Sequence, residues 1–257
     1  FEGSLSVPFL SRFDKDLVRL GTVVFGTDVG EFTRLDSDGV DVYVTASSGT
    51  TDGYAKVIKY SPSLVALATG SYTALPDSSP SGIGVGPTGV FVGIATGTSP
   101  SQTRRLVRFS ADLSTVLNDV DVTALVDSSF NMPLPVGGSV FVGSYKSSTA
   151  QMMLRKFDSN GDYTGVSSTF SGVAGVGRHL ALGPDGTIYQ VGGSSVSGGT
   201  LRDFLAVAYD QNLNQLATAT WNGPANGTDM AQDAAVLSAT QVFITGQSFN
   251  GTDFDGV

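Results

Sequence analysis

A chain of 257 residues with only 14% charged residues, 33 glycines and two glutamates, Glu2 and Glu31, is not a helical bundle laced with Glu and Lys pairs; it suits a many-turned β architecture. A net charge of -9 and a pI near 4.4 repel phosphate backbones, so nucleic acid is not an expected partner. No stretch approaches the roughly 18 apolar residues of a membrane helix, residues 1–20 lack the pattern of a signal peptide, and the absence of cysteine removes disulfides and thiolate metal sites.

In chain order, two kinds of strand segment alternate. The first kind runs FLSRFDKDL, KVIKYSPSL, RLVRFSADL, LRKFDSNGD and AVAYDQNLN: an apolar strand, an aromatic, then a polar turn. Its aromatics, Phe13, Tyr60, Phe109, Phe157 and Tyr209, stand 47, 49, 48 and 52 residues apart. The second kind, VDVYVTAS, GVFVGIAT, SVFVGSYK, TIYQVGGS and QVFITGQS, has its aromatics at Tyr43, Phe91, Phe141, Tyr189 and Phe243. Two independent anchors thus report one period. About 50 residues with period-two alternation is the size of a four-stranded propeller blade.

First-and-second strand pairs fall near 33–46, 82–95, 131–145, 179–193 and 233–248, and third-and-fourth pairs near 9–25, 55–72, 104–124, 152–170 and 204–221. Gly39, Gly89, Gly138 and Gly186 are placed where a tight hairpin needs positive φ. The expectation is all-β: a single five-bladed β-propeller over 1–257, of four-stranded antiparallel blades, closed by pairing of its N- and C-terminal half-blades. Closure would leave no exposed strand edge. An excerpt from a longer propeller of six or seven blades is the rival reading.

Segments such as TDGYAKVIKYSPSL and LAVAYDQNLNQLATATWNG resemble a bacterial β-propeller repeat family with a KYD-type turn and a VYVTG strand, and GRHLALGPDGTIYQVGG is similar to NHL-type blades. The resemblance implies a propeller of exported or cell-surface bacterial proteins. KYSPS, RFSAD, VFVGIAT and VFVGSYK depart from its pattern. A repeat family of this kind transfers a fold and not a function.

The candidate chemistry is sparse. DSNGD (158–162) and DSDG (36–39) place oxygens as calcium loops do, but no bidentate Glu follows, and hairpin turns demand the same residues. No metal and no cofactor is expected. His179, the sole histidine, lies beside Arg178 on an innermost strand; Phe32, Gly82, Asn131 and Asp233 align with it, with Glu31 and Gln232 one residue earlier. Such a ring is either solvated channel lining or a ligand-binding mouth, for which Glu31, Asn131, Arg178, His179, Gln232 and Asp233 are the candidates.

A glycosidase would need two carboxylates, and Glu31 with Asp233 or Asp36 is the pairing available. Eight Lys and Arg, from Arg12 to Lys156, fall on third strands, where they would discourage edge-to-edge pairing. Trp221 reads as blade packing or a sugar-stacking platform, and Asn226 and Asn250 head glycosylation patterns. The reading at this point is a non-enzymatic, extracellular, cell-surface or virion module recognising a glycan or protein partner. An architectural subunit and a glycoside hydrolase-type propeller are the alternatives.

Overall fold

The structure, a computed structural model, describes residues 8–25, 29–48, 53–97, 102–126, 129–146, 151–170, 174–195 and 202–256. The chain divides into two compact units, Phe1–Val122 and Thr123–Val257, each taken by itself. All regular structure in the described residues is strand, and no helix there is long and apolar enough to cross a membrane. The loops at 49–52, 98–101, 147–150 and 196–201 lie outside the described residues.

The N-terminal unit begins with the hairpin β1 (Phe9–Phe13) and β2 (Arg19–Val24). A four-stranded antiparallel sheet comes next: β3 (Val29–Ser37), β4 (Val42–Ser48), β5 (Ala55–Tyr60) and β6 (Ala66–Tyr72). A second is built from β7 (Ser78–Gly86), β8 (Gly89–Thr96), β9 (Thr103–Phe109) and β10 (Val116–Asp121). The C-terminal unit holds two more: β11 (Ser129–Val136), β12 (Ser139–Lys146), β13 (Gln151–Asp158) and β14 (Tyr163–Thr169), then β15 (Ala174–Leu182), β16 (Ile188–Ser195), β17 (Arg202–Tyr209) and β18 (Gln215–Trp221). It ends in a three-stranded sheet of β19 (Asp229–Ser238), β20 (Gln241–Phe249) and β21 (Phe254–Gly256). The ladders keep β1–β2 and β19–β21 as separate sheets.

Strand order within each sheet follows chain order, as short hairpins dictate. The first hairpin turn places its positive φ at Gly39, Gly89 and Gly186 as expected, but in the third repeat at Gly137 rather than Gly138. Gly89 is required twice over, because a β-carbon there would also collide with the carbonyl of Phe109.

The third-to-fourth turns share one device. The carboxylate of Asp14 accepts the N–H of Asp16 and Val18, Asp158 those of Asn160 and Asp162, and Asp210 those of Asn212 and Asn214. Ser61 and Ser110 use their hydroxyls the same way toward Val65 and Thr115. DSNGD is accordingly a turn, its first carboxylate spent on backbone N–H groups.

Four residues past the strand aromatic, the same turns set Leu17, Leu64, Leu113 and Leu213 at φ of 60° to 65°. The left-handed region costs a leucine about 1 kcal/mol or more, so tertiary packing must hold it there. Leu113 is 3% exposed, buried with Val57 and Tyr72 of the preceding sheet, and Leu213 is buried with Leu154 and Phe170 of the sheet before its own. Leu113 and Leu213 are thus plugs that each lock one sheet onto the one before it, whereas Leu17 holds the same φ at 80% exposure.

The basic residues of the third strands have a different task from the one expected. Lys59 lies over the ring of Tyr43, Arg108 over Phe91 and Lys156 over Phe141, with 5.0 to 6.0 Å to the ring centroid. Each pair is directly cross-strand in register. These three charges cover aromatic faces within a sheet, which is worth about 0.5–1 kcal/mol at such sites.

Candidate functional site

The five innermost strands do not start where alternation in the sequence begins. β15 opens at Ala174 and β19 at Asp229, four or five residues upstream of His179 and Asp233. The cause is a bulge. In β15 the register slips between Gly177 and His179, across Arg178; in β19 it slips between Ala231 and Asp233, across Gln232. Slips also occur between Pro80 and Gly82, between Phe130 and Pro133, and twice in β3. A bulge breaks the period of two, which hides the upstream part of the strand from pattern reading, and it re-aims side chains beside it.

In the C-terminal unit the strands carrying those two bulges bring His179 against Asp233 and Arg178 against Met230. His179 Nε2 lies 3.1 Å from Asp233 Oδ1, the imidazole side chain 20% exposed and the carboxylate 61%. The same Oδ1 accepts the N–H of Ala234 at 2.7 Å, which fixes the carboxylate beside the ring. Arg178 Nε donates to the sulfur of Met230 at 3.2 Å, a second link from β15 to β19. Gln232 is exposed. A carboxylate on one imidazole nitrogen orients the ring and stabilises its protonated form, so the pair can take up and return a proton at an accessible surface.

Gly246 of β20 makes this arrangement possible. Its α-carbon faces the backbone of Met230 and Ala231 so closely that any β-carbon would overlap the Met230 carbonyl. A glycine inside a strand signals such an approach, and it is the sequence feature from which the β19 bulge could have been found.

The other candidates are distributed differently. Asn131 stands on β11 at the bulge of that strand and Glu31 on β3 of the N-terminal unit; both side chains lie outside the described ones. Asp36 accepts the N–H of Ser37 and of Val85, a structural use of the carboxylate. At the β3–β4 turn, Asp38 accepts from Val40 and Asp41 and from the Tyr43 hydroxyl, while Lys59 bridges to Asp41 at 3.1 Å. The Asp41 N–H, ahead of the other donors, holds the Asp38 carboxyl below its usual range. Trp221 makes an edge-to-face contact with Phe204 at 5.3 Å and lines a shallow apolar pocket of about 270 Å³ with Leu205, Ala219 and Ile244.

No family model matches the chain, and no curated protein matches it by sequence. Solved structures do resemble it. One is a putative 6-phosphogluconolactonase from Bacteroides uniformis, at 15% identity and a TM-score of 0.51, covering 92% of this chain and 76% of the other. The β-propeller domain of the Trilobed protease from Pyrococcus furiosus shares 7% identity at a TM-score of 0.47, over 88% of this chain and 70% of that one. An endo-arabinase from Bacteroides thetaiotaomicron shares 11% at 0.45, over 86% and 89%. The Pyrococcus furiosus structure is named as a β-propeller domain, and the complete sheets of this chain are four-stranded and antiparallel.

These neighbours correct one expectation. The non-enzymatic recognition module, and with it the statement that the chain is not an enzyme, drew on a fold-level resemblance; the solved structure it resembles at a TM-score of 0.51 is named as a putative enzyme, a 6-phosphogluconolactonase. Because a fold carries no function by itself, likeness to a propeller family gave no ground for excluding chemistry.

Proposed function

We propose that this chain is a carbohydrate-active hydrolase of the five-bladed propeller type, with its site on the bulged strands β15 and β19. The observation that carries the reading is the 3.1 Å His179–Asp233 pair at an accessible surface, with Arg178 and Gln232 the preceding residues on the two strands. The substrate class comes from the name of the lactonase neighbour; the residues come from this chain. Four complete four-stranded sheets, with β1–β2 at the position of third-and-fourth strands and β19–β20 at that of first-and-second strands in the repeat, support a count of five.

A sugar lactone suits a single acid–base pair better than a glycoside, which calls for two carboxylates. His179 removes a proton from water as the oxygen attacks the lactone carbonyl. The ring ester C–O bond then breaks, and the imidazolium returns the proton to the departing alkoxide, giving the open hydroxy acid. Asp233 orients the imidazole and stabilises its charge, while Arg178 and Gln232 contact the substrate's hydroxyl or acidic groups.

The test is turnover of a panel of aldonolactones and chromogenic glycosides by the chain and by His179→Ala and Asp233→Asn. The expected loss on removing the proton carrier is about 10²- to 10⁴-fold. Turnover of no substrate in the panel, or rates unchanged in both variants, overturns the proposal.

A further inference from the structure

Asparagine followed by glycine occurs four times, at Asn160, Asn222, Asn226 and Asn250, always in the C-terminal unit. The pair is chemically reactive because glycine has no side chain to shield its backbone nitrogen. That nitrogen can attack the carboxamide carbon of the asparagine, provided that neither group is held elsewhere. All four asparagines are exposed, so exposure does not choose among them. Hydrogen bonding does.

Three of the pairs are tied. The N–H of Gly161 donates to the Asp158 carbonyl at 3.0 Å, and that of Gly223 donates to the Asp229 carboxylate at 2.7 Å. Asp229 is 0% exposed and also accepts the Ser248 hydroxyl, so the bond to Gly223 is enclosed. At Asn250 it is the carboxamide that is held. Its Oδ1 accepts the N–H groups of Thr252 and Asp253, and its Nδ2 donates to the carboxylates of Asp253 and Asp255.

Asn226 differs. Its Oδ1 accepts from the exposed Asn222 side chain at 3.0 Å, and among the described residues neither its Nδ2 nor the N–H of Gly227 has a hydrogen-bond partner. The turn nonetheless demands both residues. Asn226 has a φ of 50°, a left-handed value that asparagine adopts more readily than most non-glycine residues. A β-carbon on Gly227 would stand 2.5 Å from the ring of Phe249. The fold therefore carries an untied reactive pair because the shape of the turn requires it.

We propose that Asn226 is a site of self-modification, at which the chain deamidates without an enzyme. The Gly227 nitrogen forms a bond to Asn226 Cγ, the Cγ–Nδ2 bond breaks, and Nδ2 leaves as ammonia with the proton given up by the amide, closing a five-membered succinimide. Water then opens the ring at either carbonyl, to aspartate or isoaspartate. One water is consumed, one ammonia is released, and the formal net charge goes from -9 to -10. The product falls in the loop that Asp229 ties to Gly223 and Ser248 where β19 begins, and the isoaspartyl form adds a carbon to its backbone. The inference does not rest on the His179–Asp233 chemistry.

The experiment is peptide mapping by mass spectrometry of the full chain held folded in mildly alkaline buffer, with a parallel time course in urea. A hydrogen bond that must break before attack slows the step by about two- to tenfold, so Asn226 should convert about threefold or more faster than each of the other three in the folded chain. In urea the four rates should draw together. Asn226→Gly keeps the left-handed turn and should slow accumulation of the more acidic form on ion exchange by about twofold or more. Conversion led by another asparagine, no conversion in the folded chain, or an order of rates unchanged in urea overturns the proposal. An acidic form that accumulates as fast in Asn226→Gly as in the parent chain does so too. Turnover enters none of these readouts, so failure of the proposed activity and failure of the modification are separately visible.

Discussion

Tyr72 and Trp221 hold the same place in their sheets, the last residue of the fourth strand, yet Tyr72 is 1% exposed and Trp221 is 45% exposed. The difference lies in the sheet that comes next along the chain. After β3–β6 comes a complete sheet, whose Phe109 and Leu113 join one buried cluster with Tyr72 and whose Asp119 accepts the Tyr72 hydroxyl at 2.9 Å. After β15–β18 comes a sheet with only the three-residue β21 beyond β20, and there the equivalent aromatic meets solvent. The lesson is that a blade's outer strands are buried by the next blade and not by their own sequence, so identical local patterns reach different burial.

Replacing the inserted aromatic is the strongest way to break the comparison. Phe109→Ala should cost about 3–5 kcal/mol in urea unfolding, whereas Phe243→Ala, at a position open to solvent in the single chain, should change stability by no more than about 0.5 kcal/mol. Equal costs would mean that the two regions are packed alike.

Next in size is Gly246→Ala, which forces β20 away from the β19 bulge and should cost about 1–3 kcal/mol. It should also separate His179 from Asp233, lowering any proton-transfer activity more than a substitution of similar cost elsewhere. A variant of unchanged stability would show that the backbone approach at Met230 is not as close as described.

Tyr72→Phe is smaller, about 1 kcal/mol for the lost bond to Asp119, and has a pH signature. Burial, with the Asp119 carboxylate second, pushes the Tyr72 hydroxyl from 10.0 up to about 12. A raised value favours the protonated form in the folded state, so its contribution is complete below pH 10 and is lost as the pH rises toward 12. The variant should therefore unfold over a shifted alkaline range, and overlapping alkaline melts for the two proteins would contradict the assignment.

The smallest effect is expected at Trp221→Ala, about 1 kcal/mol or less. Its value is as a reporter, since Trp221 is the sole tryptophan. Emission should be that of a half-exposed indole, and the blue emission of a buried ring would contradict the solvent-facing position of Trp221.

Much of the fold was legible beforehand, in specific places, as was the equivalence of the polar positions proposed as a site. The aromatics spaced near 50 residues, the Asp, Ser and Gly of the turns, and the short strands announced four-stranded antiparallel sheets, because turn conformation and strand alternation are local chemistry. His179, Arg178, Gln232 and Asp233 could be aligned as equivalents for the same reason. The strand starts of β15 and β19 were not legible, since a bulge shifts the pattern by one and erases it. Nor was the use of the third-strand cations, which depends on cross-strand register.

Sequence alone therefore determined the repeat, the turns, the order of strands and the alignment of the polar positions, all of which depend on neighbours a few residues away. Tertiary structure decided that His179 touches Asp233, that Asp36 is bound to Val85, that Leu113 is a buried plug while Leu17 is an exposed one, and that Trp221 faces solvent. Those outcomes depend on which sheet lies in front of each residue, and adjacency between sheets is set by packing of whole faces, for which no short stretch of chain carries a signal.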